Sequence, residues 1–229
     1  MTIQCITFDL DDTLWECHPV IMHAEKCFYA WLKLSYPKII AKYSEEALIN
    51  HRVAFMQDNQ EQKHNLTYLR KRWLEILGNE TGYDNDSILI ETGFEIFWLA
   101  RNEVSFFEGT LDVLEQLSKK YTLGVISNGN ADVHHIGIGH LFDFTLSSEK
   151  AGISKPHKDI FHKAIDLSPH DLHETVYVGD DPARDIIGAH NAGMKAIWYN
   201  PKLKPWPGGR TPDAVIRSIH ELEDKIVNL

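Results

Sequence analysis

The sequence predicts an α/β fold, a parallel sheet with crossover helices that is interrupted near its start by a helical insertion. Three observations carry this. Apolar strand-like runs alternate with helical stripes from Tyr121 onward, and one more strand-like run, Ile3 to Phe8, stands far upstream of them. Between Trp15 and about Arg101 the texture changes to helix signals without alternation. A sheet whose first strand precedes the insertion and whose other strands follow it is discontinuous. Residues 1–15 and 104–229 are therefore assigned to the sheet domain and 16–103 to the insertion, with natural hinges near Glu16 and Val104.

The first run is β-prone and ends directly in Asp9-Leu10-Asp11-Asp12-Thr13-Leu14. In the insertion, Ser44 before Glu45-Glu46 has the form of a helix N-cap. Two stripes at helical spacing follow, Leu66, Leu69, Trp73, Ile76 and then Ile90, Phe94, Phe97, Trp98. Trp31, Trp73 and Trp98 are read as helix-core aromatics. Beyond the insertion, Thr110 is expected to cap a helix carrying Leu111, Leu114 and Leu117. Strands are expected over Tyr121 to Ile126, Asp143 to Leu146, Thr175 to Val178 and Lys195 to Tyr199. Ile160, Phe161, Ala164 and Ile165 form one crossover stripe, and Asn130 before Ala131 suits a cap. Asp181 with Pro182 suits the start of a further helix, and Gly193 its end. Asn200 to Pro212, rich in Pro, Gly and Lys, reads as a long irregular loop.

At 229 residues and 43% hydrophobic composition the chain can bury a full core. A net charge of -10 argues against a general nucleic-acid binder, which needs Lys and Arg to neutralise phosphates. Cys5, Cys17 and Cys27 are odd in number and lack paired spacing, so a disulfide framework or zinc finger is not indicated. The N-terminus carries no basic segment leading into a long apolar core, and no window approaches a membrane span. The expectation is a soluble, cytoplasmic protein with no obligate protein partner. His23 and Cys27 share a helix face, but a structural zinc site needs four ligands and no second pair matches. His134, His135 and His140 are read as lining a solvated helix and its turn.

Three strand tips carry chemistry. Asp9 and Asp11 follow the first strand, Ser127-Asn128-Gly129-Asn130 follows the second, and Gly179-Asp180-Asp181-Pro182 follows the strand beginning at Thr175. In open parallel sheets ligands bind beyond the carboxyl ends of the strands, so these tips converge on one edge. Asp181 is best read as an N-cap, which leaves Asp180 to face the site and Asp185 to support it. Close carboxylates repel by roughly 4 kcal/mol per pair at an effective dielectric of 20, so the cluster needs a cation. Oxygen ligands around an open position favour Mg²⁺, and Lys155 before Pro156 can supply further positive charge. A hydroxyl, a lysine and a metal around a carboxylate form a receptor for a transferring phosphoryl group.

On the motifs DLDDT at Asp9, SNGN at Ser127, SKP at Lys155 and GDDPARD at Asp180 to Asp185, the chain resembles the haloacid dehalogenase superfamily of phosphohydrolases. The resemblance implies a Rossmann-like three-layer parallel-sheet core with an inserted helical cap domain that closes over substrate. It implies that Asp9 is the nucleophile forming an aspartyl-phosphate and that Asp11 protonates the leaving oxygen and then activates water. Asp9, Asp180 and the backbone carbonyl of Asp11 would hold Mg²⁺ with Asp185 close by, while Ser127, Asn128 and Lys155 would bind phosphoryl oxygens.

A haloalkanoate dehalogenase is the nearest rival. A halide leaving group needs neither a proton nor Mg²⁺, so Asp11 and the full acidic set argue for phosphoryl transfer. A non-catalytic binding protein on the same fold would be expected to lack one of these carboxylates, and none is missing. Residues Asp11 to Leu14 with Pro19 to Ile21, Asn128 to Asn130, and Gly179 to Met194 look like the bacterial phosphatases of flavin mononucleotide and of the phosphorylated ribitylamino-pyrimidine of riboflavin synthesis. A small phosphorylated metabolite is thus the expected partner. The segment His64 to Trp73, with Arg70 and Arg72, is expected to contribute to substrate recognition from the insertion.

Overall fold

Apolar runs flanked by polar turns become six strands in the computed structural model, which describes residues 2–229. They are β1 (Cys5–Phe8), β2 (Thr122–Ser127), β3 (Phe144–Ser147), β4 (Thr175–Gly179), β5 (Lys195–Tyr199) and β6 (Ala214–Ile216). All pair in parallel, in the order β3-β2-β1-β4-β5-β6. The central strands β1 and β4 are buried along their whole length, as largely apolar strands in a parallel sheet covered on both faces are. In register, Phe8 stands opposite Val125 and Val178, so the residues leaving β1, β2 and β4 emerge at one edge. β6 was not foreseen. It is a three-residue edge strand with Val215 exposed, too short to stand out from the loop before it.

The chain divides into two compact units, one made of residues up to Cys17 with Val104–Leu229, the other of His18–Glu103. The sequence places the first division at 15/16, and the structure places it at 17/18.

The second unit is helical. Its elements are α1 (Cys17–Ser35), α2 (Pro37–Lys42), α3 (Glu45–Asp58), α4 (Leu66–Thr81) and α5 (Ser87–Arg101). Ser44 caps α3 by accepting from Ala47 N, as its position before two glutamates implies. Phe28, Leu32, Trp73, Leu77, Leu89 and Phe97 fill the core. Of the three tryptophans expected there only Trp73 is fully buried, while Trp31 and Trp98 are partly exposed. The buried face of α5 runs through Leu89, Gly93, Phe97 and Ala100, one position off the expected stripe. The reason lies in packing: the rings of Trp31 and Phe28 rest on Gly93, a residue that no apolar pattern marks as inward.

Arg70 corrects an expectation. Rather than presenting a cation to substrate, its side chain is only 6% exposed, and it donates to Glu25 Oε1 at 2.5 Å. Its guanidinium carbon lies 3.2 Å from the Phe97 ring centroid. Arg52 shares the same Glu25 oxygen at 2.9 Å, while Arg72 lies at the surface with Glu75. A guanidinium delocalises its charge and stacks flat on aromatic rings, which is why arginine can be kept inside a helical core with one carboxylate. Arg70→Ala is therefore a stability variant. Breaking a buried pair typically costs about 3–5 kcal/mol, and because Arg52 remains on Glu25 we expect about 2–3 kcal/mol, measured by urea denaturation.

The helices that follow belong to the sheet unit: α6 (Thr110–Leu117), α7 (Val133–Ile136), α8 (Ser148–Ala151), α9 (Lys158–Ile165), α10 (Gly188–Ala192) and α11 (Leu222–Val227). Ile160 and Phe161 of α9 and Ala189 of α10 join Ile126, Phe144, Leu146, Tyr177 and Trp198 of the strands in one apolar cluster. Two caps differ from expectation. Gly109, at φ 74°, precedes α6 and places Thr110 inside the helix, where it is buried; Asp132 rather than Asn130 caps α7 by accepting from His134 N. His134, His135 and His140 are exposed, as expected. Asn200 to Pro212 contains neither helix nor strand, with Asn200 bracing Lys204 through both ends of its carboxamide. Among the described residues no helix is long and apolar enough to cross a membrane.

Candidate active site

Asp9 leaves β1 with its N–H still donating to Val178 O at 2.9 Å, so the strand geometry carries it to the sheet edge beside β4. The chain then turns back sharply. Asp12 adopts φ 60°, its N–H reaches Trp15 O at 2.8 Å, and its carboxylate accepts from Cys17 N at 2.9 Å. Asp11 Oδ1 accepts from the Trp15 indole at 2.9 Å. This turn places Asp11 outside the carboxylate cluster, with its side chain held by a residue at the end of the same loop.

Lys155 is the centre of the site and is 3% exposed. Its ammonium donates to Asp9 Oδ1 at 2.7 Å, to Asp185 Oδ1 at 2.8 Å and to the Tyr177 hydroxyl at 2.6 Å. Burial acts to lower its pKa, but the Asp185 and Asp9 charges outweigh that and hold it above the ordinary lysine value. Its backbone is gripped by Asn128, whose Oδ1 accepts from Lys155 N at 2.8 Å and whose Nδ2 donates to Lys155 O at 3.0 Å. The carboxamide of Asn128, expected at phosphoryl oxygens, is thus occupied at both ends in fixing the lysine. Ser127 is buried at the tip of β2, and its Oγ accepts from Gly129 N at 3.0 Å.

Beyond β4, Asp181 is the N-cap that the sequence implied, accepting from Ala183 N at 2.9 Å and Arg184 N at 2.8 Å. The segment Pro182–Ile187 winds as a wide π-type turn before α10. That extra width brings Asp185 back over the strand tip, where its Oδ2 accepts from Asp181 N at 2.9 Å. Gly179 makes this approach possible, because a Cβ there would lie 2.5 Å from Asp185 Cγ. Gly179→Ala must displace the carboxylate or the strand. We expect a loss of about 1–3 kcal/mol by denaturation and weaker Mg²⁺ binding by calorimetry.

Asp9, Asp180 and Asp185 present ligand oxygens that all lie within 4.8 Å of one another, and they are the one such group of three among the described residues. Burial, outweighing the Lys155 ammonium, pushes the Asp9 carboxyl up to about 7. Burial also pushes Asp180 up to about 7, with the charges of Asp185, Asp12 and Asp181 adding to it. When all three carboxyls are ionised, one ammonium leaves two negative charges uncompensated in a confined space, and all the donors are hard oxygens. That donor set fits a divalent cation of the Mg²⁺ kind.

Two contributors went unnoticed in the sequence. Tyr177, inside β4, reaches Lys155 and Asp185, and the Trp198 indole donates to Asp180 O at 2.8 Å. For Tyr177 the available signal was a polar-tipped aromatic flanked by valines in a buried strand, since a buried tyrosine hydroxyl requires partners.

The family model for haloacid dehalogenase-like hydrolases matches residues 6–199. The chain is 30% identical over 230 residues to the 5-amino-6-(5-phospho-D-ribitylamino)uracil phosphatase YigB of Escherichia coli (strain K12), covering 98% of this chain and 96% of that protein. Among solved structures it is similar to a 2-haloacid dehalogenase from Pseudomonas syringae pv. Tomato DC3000, with 40% identity, a TM-score of 0.92 and 99% of each chain covered. The HAD-hydrolase YfnB of Bacillus subtilis, solved with magnesium, shares the fold at a TM-score of 0.70 and 22% identity, with both chains fully covered.

Proposed function

We propose, for a chain that belongs to the haloacid dehalogenase-like hydrolases, that it is a Mg²⁺-dependent phosphomonoesterase working through an aspartyl-phosphate on Asp9. The observation that carries this reading is the cluster of Asp9, Asp180 and Asp185, with the Lys155 ammonium on Asp9 and Asp185. Asp9 attacks phosphorus, splitting one difficult hydrolysis into two displacements. Ser127 holds a phosphoryl oxygen, the Lys155 charge, its protons engaged by Asp9, Asp185 and Tyr177, offsets that of the phosphoryl group, and Asn128 keeps the lysine backbone in place. Asp11 gives a proton to the departing alkoxide and later takes one from water, a role worth about 10² to 10⁴ in rate. Asp9, Asp180, Asp185 and the Asp11 carbonyl would hold a Mg²⁺ ion, which would supply neutralisation of the charge that gathers on the transferring group. In the substrate, similarity to the ribitylaminouracil phosphate phosphatase along almost the whole chain favours a small phosphorylated metabolite of riboflavin chemistry, either that ester or flavin mononucleotide.

A second reading has its own support. The 2-haloacid dehalogenase structure shares more identity with this chain than the phosphatase does, and in such an enzyme the same aspartate would attack a carbon bearing halogen. The identity favours dehalogenation; the acidic set favours phosphoryl transfer, because a departing halide needs neither proton nor divalent cation. One assay separates them. Purified protein is given flavin mononucleotide, ribitylaminouracil phosphate, an aryl phosphate and 2-chloropropionate, each with Mg²⁺ and with chelator. We expect phosphate release that chelation abolishes and no chloride. Chloride release unaffected by chelator would establish the dehalogenase instead.

A further inference from the structure

Tyr177 is the polar side chain of the site that the mechanism above does not use. It lies in the interior of β4, paired across to Thr7 and Ala196, and is fully buried. Its ring is held edge-on by Phe161 at 5.2 Å between centroids. The hydroxyl is 3.0 Å from Ile126 O, next to Ser127, and 3.2 Å from Asp185 Oδ1, while Lys155 Nζ donates to it at 2.6 Å. An ammonium has three protons and no acceptor. Here three acceptors meet it, Asp9, Asp185 and Tyr177, so its orientation is fully specified. The two carboxylates alone would leave a flexible four-carbon stem free to slide between them. The phenol is rigid, and its own proton is anchored on the Ile126 carbonyl of β2, the strand beyond β1, with Asp185 Oδ1 as its second acceptor.

We infer that Tyr177 is a positioning residue whose hydroxyl, fixed on the Ile126 carbonyl, sets the Lys155 ammonium between Asp9 and Asp185 and acts on the reaction only through that lysine. The inference rests on the reading of Asp9 and Lys155 as members of the reacting site. Tyr177→Phe keeps the ring and its contact with Phe161 and removes the hydroxyl alone. The expected result is a kcat for phosphate release lowered about tenfold, the effect of one charge-assisted hydrogen bond, with KM changed less than about twofold and circular dichroism unchanged. An unchanged kcat overturns it. A purely structural role would instead lower the fraction of folded enzyme and leave kcat per folded site intact, which also overturns it. A crystal structure of the variant gives a readout independent of substrate: Nζ shifted off one of its carboxylates supports the inference, and both contacts retained unchanged refute it. Should the wild-type protein release no phosphate, the phosphatase reading fails while this crystallographic arm still decides Tyr177.

Discussion

Asp9→Asn is expected to lower turnover by at least about 10⁴-fold, the scale seen when a nucleophile of a covalent mechanism is removed, and to leave the fold intact. An amide at that position keeps the size of the carboxylate and can still accept from Lys155, but it cannot form the acyl-phosphate bond. The stability effect has a definite sign. In metal-free protein the Asp9 carboxyl is raised from its ordinary 3.8 to about 7 by burial. A group whose folded pKa is raised contributes stability that is full below the unfolded value and is lost as pH rises through the folded one. Asparagine does not titrate. The melting temperature of metal-free Asp9→Asn should therefore gain on that of the wild type between about pH 4 and 7, as read by calorimetry across that range. Turnover within tenfold of wild type would remove Asp9 from the nucleophile role.

Lys155→Ala is expected to cost about 3–5 kcal/mol and to abolish turnover, because it leaves Asp9 and Asp185 facing each other with no cation between them. Each of its three hydrogen bonds is to a buried or nearly buried group, so solvent cannot replace them. Mg²⁺ should restore part of the loss, since any ion that binds only the folded state stabilises it by mass action. The check is guanidinium denaturation with Mg²⁺ and with chelator. A Lys155→Ala protein as stable as the wild type in chelator would show that the acidic cluster does not depend on this ammonium.

Much of the sheet could be read from the chain because its signals are local. β1 and β4 are short, largely apolar runs, and each leads into a turn rich in aspartate, so strand, edge and chemistry are adjacent in sequence. The capping role of Asp181 was equally legible, since an Asp before Pro at a helix start serves its own next turn. Signals failed where the partner is distant. The inward turn of Arg70 depends on Glu25, 45 residues away, and on the Phe97 ring, and nothing in a helical stripe distinguishes a stacked arginine from a solvated one. The burial of Gly93 likewise depends on Trp31 and Phe28 from another helix.

By itself the sequence determined the α/β class, the interruption of the sheet by a helical segment, and the identity of the acidic, hydroxyl and lysine groups at the strand tips, because these follow from periodicity and short spacing. Only the tertiary structure decided how those groups are held. Lys155 meets Asp9 across 146 residues and Asp185 across 30, Asn128 clamps the lysine backbone, and Tyr177 completes the ammonium from inside the sheet. Contacts between residues so far apart carry no periodic signature. They arise from the register of β1, β2 and β4, which brings three separate turns to one edge at hydrogen-bonding distance.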